Sequence, residues 1–506
     1  MSKKIGGVVA LVSLCALSLV LLNCGSSSSR PSGVLYVLTE ASSDIGTNVS
    51  SFAIDLGSGS LSLVNSNAST CPTAATQANP EPCGLPLDIL LDPTGATAFV
   101  LNQGTPCVQQ GNQCVGTPSI LPTIFSYTVN SDGSLSAPSA TPVTWTCVYP
   151  TGASCVSPYD DTAVAMVRDG AGQFLFVIDQ GVYPPPPTCP LIAAAVTNSQ
   201  QAMDFVGCPS ISVFAMKPGS TTLTAVSQSS TYQSPFFLSK TPSALSPIAF
   251  TAPGTTAAQE LLFATNNYDL CTVSCLPPTG VPSSFTPNDS TVSVYSVSSA
   301  GVLSEQSNSP YAVAAADPVS VQVVNTNLMS ESTGGLFVYV GQGGGVGALY
   351  PFTVCWVQNA NCSAQDVAGN LMVPLATCPA LSCNVAPSSV GSNPVAMLAD
   401  PTNNFLYVLS EGQNRVSAFK INTTAGSLTA LNPPDLPTGS QPVSMAMHAS
   451  VNSTGQGLYS SSGQFLYTSN AGSSNITGTT LNTTSGSMSN PFTVVAPAAP
   501  SGIAVH

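Results

Sequence analysis

The chain has 506 residues, of which 43% are hydrophobic and only 6% are charged, and its formal net charge at pH 7 is -14. The excess of acidic residues, 22 against 8 basic ones, opposes binding to nucleic acids and to anionic membrane surfaces through charge. The hydrophobic residues recur in strand-like patterns, which excludes a disordered chain.

Residues 1–23 predict an export signal. Lys3 and Lys4 precede an apolar run without charge at residues 5–22. The segment resembles a bacterial lipoprotein signal, with Leu21-Leu22-Asn23-Cys24 in the place of the lipobox. This resemblance implies lipidation of Cys24 and a membrane-anchored protein of the cell envelope, in the periplasm or at the cell surface. A plain secretory signal or an uncleaved anchor is the alternative. Residues 24–33 are rich in serine and predict a flexible tether.

Fourteen cysteines follow Cys24, and they form seven neighbouring pairs. An even number of cysteines in an exported chain predicts disulfides, each worth at most about 2–3 kcal/mol in loops this short. Metal binding is the alternative, but it needs histidines or paired C-x-x-C units, and only His448 lies inside the chain. We therefore predict disulfides, no metal and no cofactor. The predicted pairs are Cys71 with Cys83, Cys107 with Cys114, Cys147 with Cys155, Cys189 with Cys208, Cys271 with Cys275, Cys355 with Cys362, and Cys378 with Cys383.

A four-strand pattern recurs along the rest of the chain and is clearest at residues 393–431. Its turns are Asp400-Pro401-Thr402-Asn403, Gly412-Gln413-Asn414 and a reversal at Gly426. A single unit of this kind leaves both faces apolar, so it needs copies of itself to pack against. The four strands are predicted at residues 395–399, 405–409, 416–421 and 427–431.

Seven copies of this unit are recognisable from their second strands, which are rich in aromatic and β-branched residues. Four-stranded units that repeat radially predict a β-propeller. The second strands fall at residues 35–37, 98–100, 174–177, 261–263, 336–338, 405–408 and 465–467. An inner strand precedes six of the units, at residues 87–91, 164–168, 243–247, 319–323, 395–399 and 443–447. The first unit lacks one, and residues 500–506 are predicted to supply it and to close the ring.

One position of the inner strands carries small residues, which suits strands that converge on a narrow axis. The next position carries large apolar residues, because alternate residues of a strand face opposite sides. A single charge, that of Asp88, interrupts the column of small residues. The column is Asp88, Ala165, Ala244, Ser320, Ala396, Ser444 and Gly502.

The repeat L-Y-V-x-[NST]…V-x-x-F…G-S-L resembles that of the lactonase-type propellers, the 6-phosphogluconolactonase-like family, and that of the YVTN surface repeats. The resemblance implies an all-β fold, a seven-bladed β-propeller of four-stranded blades at residues 34–506, with the C-terminal strand completing the first blade. In this family the turn after the second strand often reads N-R-G-H-[DN]-S-I, whose Arg and His suit an acidic sugar lactone. Here Glu411 and Gln413 hold these two positions, and Arg415 is shifted. The difference argues against hydrolysis of a charged lactone.

The turns that follow the second strands place polar residues around one rim, where propeller sites usually lie. They predict a ligand rim, and the alternative is that Asn, Asp and Ser are present because turns favour them. Glu40, Asp179, Glu411 and Arg415 are the candidate catalytic residues. The rim comprises Thr39, Glu40, Asn102, Gln103, Asp179, Gln180, Asn266, Asn267, Ser410, Glu411 and Asn470.

Two classes of function fit this sequence. The first is a non-catalytic, monomeric binding or display protein, whose partner is a protein, a glycan or a small neutral ligand. The second is a lactonase-like hydrolase of an uncharged lactone, with a rim carboxylate as general base. We favour display because His448 occupies a turn position equivalent to Asp92, Asp169 and Asp400, and because the long cysteine-bearing insertions enlarge the surface.

Overall fold

The computed structural model describes residues 33–39, 48–68, 70, 85–103, 108–110, 113–115, 122–143, 146–148, 154–156, 163–180, 209–228, 235–238, 241–251, 258–268, 290–306, 309–313, 317–326, 335–343, 346–355, 372–374, 388–448, 464–496 and 499–506. These residues form strands and turns. No helix within these ranges has the length and apolar character needed to cross a membrane. The predicted signal and all but the last residue of the predicted tether lie outside these ranges.

Seven antiparallel sheets form the blades of a propeller, and the predicted all-β fold is confirmed. The first three blades and the hairpins between them contain β1 (Val34–Thr39), β2 (Val49–Ile54), β3 (Leu61–Ala68); β4 (Pro86–Leu91), β5 (Thr97–Asn102), β6 (Val108–Gln110), β7 (Gln113–Val115), β8 (Thr123–Thr128), β9 (Ser139–Pro142), β10 (Thr146–Val148), β11 (Ser154–Val156); β12 (Ala163–Arg168), β13 (Phe174–Asp179), β14 (Ser210–Ala215), β15 (Thr224–Ala225) and β16 (Phe236–Phe237).

The remaining blades follow the same order, from an inner strand to an outer one. Their strands are β17 (Thr241–Thr251), β18 (Ala258–Tyr268), β19 (Thr291–Val297), β20 (Leu303–Glu305), β21 (Tyr311–Ala312); β22 (Pro318–Asn325), β23 (Leu336–Gln342), β24 (Ala348–Val354), β25 (Met372–Pro374), β26 (Ser388–Ser389); β27 (Pro394–Ala399), β28 (Phe405–Ser410), β29 (Arg415–Ile421), β30 (Leu428–Pro437); β31 (Pro442–His448), β32 (Gln464–Asn470), β33 (Asn475–Leu481), β34 (Met488–Val495); and β35 (Pro500–Val505).

The last strand completes the first blade, as the sequence predicts. β35 pairs antiparallel with β1, and Tyr36 lies opposite Ala504 in this pair. Beyond the strand, the backbone N–H of His506 donates to the carbonyl of Val34 at 2.9 Å, and that of Val34 donates back at 3.2 Å. The first and last strands of the propeller are therefore neighbours in one sheet.

The hydrophobic core of the described residues is divided into seven clusters, one at each seam between neighbouring blades. At the seam of blades 6 and 7, for example, Tyr407 and Leu409 pack with Met445 and Leu466. The large residues of the inner strands belong to these clusters, as predicted from their alternation with small ones. They are Ile89, Met166, Leu245, Val321, Met397, Met445 and Ile503.

A tyrosine of the second strand reinforces several seams with a hydrogen bond. The hydroxyl of Tyr407 donates to the carbonyl of Gly486, in an outer turn of the next blade, at 2.8 Å. Gly486 has a positive φ of 71°, and a Cβ there would lie 2.3 Å from the ring of Phe405, so the turn requires glycine. Equivalent bonds join Tyr36 to Gly133, Tyr339 to Gly426 and Tyr467 to Gly59.

Blades 2, 3 and 4 have phenylalanine at this position, namely Phe99, Phe176 and Phe263. At the seam of blades 3 and 4 a glutamine side chain forms the hydrogen bonds across the seam instead of a tyrosine. The side-chain amide of Gln228 donates to the carbonyl of Gly301 at 3.0 Å and accepts from the N–H of Leu303 at 2.8 Å.

Candidate functional site

The predicted rim lies at the face where the inner strands begin, which we call the front face; the opposite one is the back face. Five of the seven described inner strands begin with proline; β17 begins with Thr241 and has proline as its second residue, and Ala163 begins β12. Each inner strand pairs with the second strand on one edge and turns its other edge toward the axis. Proline suits this position, because an unpaired edge does not need its N–H.

Seven polar residues form a ring on the front face, one at or near the end of each second strand. Six of them are register partners of the first residue of their inner strand, and Asn266 is the partner of Pro242, the second residue of β17. Six of them are at most 5% exposed, and Gln342 is half-buried. We call these residues the polar ring: Thr39, Asn102, Asp179, Asn266, Gln342, Ser410 and Asn470. Sequence reasoning missed Gln342, which the register with Pro318 identifies.

Amides of the polar ring bond to neighbouring parts of the propeller, and those of Asn266 and Asn470 bond to the third strand of their own blade. The side chain of Asn470 donates to Asn475 Oδ1 at 2.8 Å and to Thr477 Oγ1 at 3.0 Å. Buried amides of this kind need hydrogen-bond partners, and here the partners belong to the neighbouring third strand. Further bonds of the ring run from Asn266 to Thr291 and Ser293, from Asn102 to Thr70, and from the hydroxyl of Tyr350 to Gln342.

The two candidate catalytic residues of blade 6, Glu411 and Arg415, contact different partners. The carboxylate of Glu411 accepts a hydrogen bond from the side-chain amide of Asn393. Arg415 Nη1 forms an ion pair with Asp435 at 2.9 Å, and both side chains are about one-third exposed, at 31% and 33%. Asp435 also accepts from the hydroxyl of Ser417 at 2.6 Å. The acid and the cation therefore do not act as a pair.

The other rim candidates have different surroundings. Asp179 is 5% exposed at the end of β13, and Asn267 lies in β18 one residue beyond the ring position. The backbone N–H of Gln103 donates to the carbonyl of Leu85 at 2.7 Å. Gln180 crosses to the next blade and donates to the carbonyl of Pro242 at 3.1 Å. Glu40 lies outside the described residues.

His448 lies on the back face, at the position predicted from the alignment with aspartates. In the equivalent turn of blade 6, Asp400 accepts from the backbone N–H of Phe405 at 2.8 Å. Asp92 and Asp169 accept the corresponding bonds in their own blades. His448 ends β31, is 4% exposed, and packs with its ring centroid 6.2 Å from that of Phe465. It is remote from the front-face rim.

Two carboxyl groups of the described residues have raised pKa values. Burial raises the pKa of Asp88 to about 6, and hydrogen bonds from the backbone N–H of Met166 and Ile89 act in the opposite direction. Asp88 keeps some exposed area, yet protein atoms crowd its carboxylate, and crowding governs desolvation. Burial and the charge of Asp169 raise the pKa of Glu260 to about 7, and Oε1 of Glu260 is buried with no hydrogen-bond partner among the described residues.

Four of the fourteen paired cysteines fall within the described residues. Cys355 is buried. Cys147 lies opposite Cys155 in the β10–β11 pair, and Cys114 lies in β7 opposite Gln109. Within the described ranges, no group of three or more His, Cys, Asp or Glu residues could hold a metal ion.

The pairing scheme as a whole stays a prediction, because the other cysteines lie outside the described ranges. Four of the predicted pairs have both members outside the described ranges, two pairs have one member outside, and the pair of Cys147 and Cys155 lies inside them. The cysteines outside the ranges are Cys71, Cys83, Cys107, Cys189, Cys208, Cys271, Cys275, Cys362, Cys378 and Cys383.

Five of the predicted pairs lie in segments that connect strand ends on the front face. These segments follow β3, β5, β9, β13 and β18, each of which ends on that face. The pair of Cys355 and Cys362 follows the back-face end of β24, and that of Cys378 and Cys383 lies between the two short outer strands β25 and β26. The described strand ends from which these cysteine-bearing segments continue therefore lie mostly on the front face.

Comparison with known proteins agrees with this architecture. Residues 382–496, which include blades 6 and 7, match the sequence pattern of the family described as Lactonase, 7-bladed beta-propeller. The chain is a seven-bladed propeller, and these residues carry the lactonase-type repeat that the sequence predicts. No curated protein matches the chain in sequence.

Two solved structures share the fold over nearly the whole chain. One is a protein of Bacteroides fragilis provisionally assigned as a 6-phosphogluconolactonase, with a TM-score of 0.51, 11% identity, and coverage of 95% of this chain and 99% of the other. The second is the periplasmic gluconolactonase of Pseudomonas aeruginosa, with a TM-score of 0.50, 16% identity, and coverage of 94% and 98%. At these identities the likeness shows the fold alone.

Proposed function

We propose that this propeller is an exported binding and display protein of the cell envelope, which presents its front face to a partner and performs no catalysis there. The observation that carries the proposal is the state of the polar ring. Its asparagine amides are buried and bonded to neighbouring strands, as in Asn266 and Asn470. Side chains used in this way position the blades and offer few groups to a substrate.

The arrangement of Glu411 and Arg415 supports the same proposal. Hydrolysis of a lactone requires a base and an oxyanion-stabilising donor that converge within about 3 Å of the reacting atoms. Glu411 is turned to Asn393 and Arg415 to Asp435, so the two groups do not converge on one point. Five of the cysteine-bearing segments continue from strand ends on the front face, which fits a face that recognises a protein, a glycan or a small neutral ligand.

An extracytoplasmic location is part of the proposal. One of the two solved structures compared above belongs to a periplasmic protein. The predicted cysteine pairs fit an oxidising compartment, because disulfides persist outside the cytoplasm. Lipidation at Cys24, proposed from the resemblance of residues 21–24 to a lipobox, would attach the propeller to a membrane.

A lactone hydrolase is the second candidate, and the lactonase-type pattern of residues 382–496 favours it. The test is hydrolysis of glucono-lactone and 6-phosphogluconolactone by purified residues 26–506. We expect rates equal to the spontaneous rate in buffer. Turnover above that rate, lost in Glu411→Gln or Arg415→Ala and kept in the exposed control Glu305→Gln, would overturn the display proposal and establish the hydrolase.

A further inference from the structure

Side chains join the inner strands of neighbouring blades across their open edges. The hydroxyl of Ser243 donates to the carbonyl of Pro318 at 2.6 Å, that of Ser320 donates to Pro394, and that of Ser501 donates to Pro86 at 2.9 Å. These bonds satisfy backbone carbonyls that have no partner strand. All three use neutral groups, so their strength does not depend on pH.

The seam between blades 2 and 3 is built differently. Its second inner strand begins with Ala163 instead of proline, and two charged side chains cross the gap. Asp88 Oδ2 accepts from the backbone N–H of Met166 at 3.2 Å, and Arg168 Nε donates to the carbonyl of Leu91 at 2.7 Å. Asp88 of blade 2 bonds to blade 3, and Arg168 of blade 3 bonds to blade 2 at the other end of the same two strands.

We propose that the seam between blades 2 and 3 is a proton-sensitive joint, which opens more readily once Asp88 is ionised. In the closed seam the carboxylate is crowded by protein atoms, with two backbone N–H groups as its hydrogen-bond donors. When the seam opens, water can hydrate the charge, and the desolvation penalty is removed. Serine and alanine hold this position in the other blades except for Gly502 in the first, so no equivalent charge acts at those seams.

The charged groups around Asp88 do not cause the shift of its pKa, so Asp88 itself is the group that titrates at this seam. Four strands pack against β4, namely β1, β5, β12 and β35. The other titratable or charged groups in or just beyond β4 and the described parts of these strands are Tyr36, Asp92, Arg168, Asp169 and His506. Tyr36 is bonded to Gly133, and Arg168 to the carbonyls of Leu91 and Asp169. None of the five is among the causes of the shift at Asp88, which are burial and the two backbone bonds.

The sign of the effect follows from the raised pKa. The closed seam favours the protonated acid, with a pKa of about 6 against an ordinary value of 3.8. Between these values the closed form binds more protons, so its stability is largest at low pH and decreases as pH rises to about 6. By this linkage the equilibrium constant for opening should increase about tenfold from pH 5 to pH 7.5.

The test is hydrogen exchange of the β12 amides, followed by mass spectrometry at pH 5 and pH 7.5 and corrected for the intrinsic rate. We expect protection of residues 163–168 to fall about tenfold at the higher pH in the wild-type chain. Asp88→Ser should abolish the difference, because Ser320 and Ser444 hold the same position in blades 5 and 7. The amides of β27, at a neutral seam, are the internal control.

Two results would overturn the proposal. The first is a pH dependence at β12 that persists in Asp88→Ser or appears equally at β27. The second needs no variant and so does not depend on its folding: a carboxyl titration of Asp88 in the wild-type chain, followed by NMR, with a midpoint near its ordinary 3.8. A midpoint near 6 supports the joint.

Discussion

The second strands carry tyrosine in four blades and phenylalanine in the other three, a difference of one hydroxyl group. Each tyrosine hydroxyl is buried against a glycine carbonyl of the next blade, and the ring is at most 1% exposed. Burial of the hydroxyl raises the pKa of Tyr339 and of Tyr467, so both stay neutral donors at any ordinary pH. The seam contact is therefore a hydrogen bond superimposed on an aromatic core.

Removal of one such hydroxyl should weaken the propeller measurably. In Tyr407→Phe the carbonyl of Gly486 loses its donor, and we expect the free energy of unfolding to fall by about 1 kcal/mol. Chemical denaturation of wild-type and variant chains measures this change. Tyr350→Phe is the control, since its hydroxyl is only half-buried and bonds within its own blade. Equal losses in the two variants would contradict a special role for the seam bond.

A second prediction at the scale of one residue concerns Glu260 and the pH dependence of stability. Its pKa is raised to about 7 from 4.5, first by burial and then by the charge of Asp169. The folded state therefore holds the proton more tightly, and this contribution to stability is present at low pH and is lost as pH rises toward 7 and above. In Glu260→Gln the group is neutral throughout. We expect it to be more stable than wild type at pH 8 by on the order of 1 kcal/mol, a value discounted for partial exposure, with little gain at pH 5.

Thermal unfolding at the two pH values measures the effect of Glu260→Gln. Glu305→Gln makes the same chemical change at an exposed carboxylate of the same blade and should leave the pH profile unchanged. A gain at pH 5 as large as that at pH 8 would assign the effect to packing instead of charge.

At the scale of the element, β35 is the strand on which closure of the ring depends. Without it β1 has no inner neighbour, and the cluster of blades 7 and 1 loses Ile503. Deletion of residues 500–506 should lower the melting temperature steeply, because buried residues such as Leu35 and Val37 would be exposed. Ser501→Ala removes one seam hydrogen bond and keeps the strand, so its effect should be much smaller. An unchanged melting temperature after the deletion would contradict closure.

The order of the strands could be predicted from the sequence because each blade repeats its turn residues and its alternation. In blade 5, however, the alignment made from the sequence is wrong by two residues. Leu336-Phe337-Val338 does lie in the second strand, but the register makes Tyr339, two residues further on, the equivalent of Tyr407. A shift by two keeps every side chain on the same face, so the alternation gives no signal of it. Gln342 was missed for the same reason.

The site was less predictable than the fold. Asparagine at the end of a strand is equally compatible with an exposed turn and with a buried amide. Which of these holds for Asn470 is decided by Asn475 and Thr477 on another strand. The bond from Asp88 to Met166 joins residues 78 positions apart and arises only when the blades meet. Sequence reasoning identified the lone charge without its partner.

At the scale of the whole molecule, attachment to a membrane depends on Cys24. Cys24→Ser should release the propeller into the soluble fraction. The reason is that the predicted lipid on Cys24 holds the wild-type chain to the membrane, and the variant cannot carry it. Fractionation of cells that express the wild-type or the variant chain measures this. Cys15→Ser is the control, since that residue lies within the apolar run and should not affect lipidation. Continued membrane association of Cys24→Ser would show that residues 5–22 are an uncleaved helix instead.

The pairing of β1 with β35 also sets how an anchored molecule would be oriented. Val34 bonds to His506 at the back face, and Gly33 packs beside His448, so the chain enters the propeller from behind. Ten residues from 24 to 33 extend at most about 35 Å. A lipid at Cys24 would keep the point where the chain enters the back face within that distance of the bilayer. The front face, which carries the polar ring, would then be the face that is turned away from the membrane and open to a partner from that side.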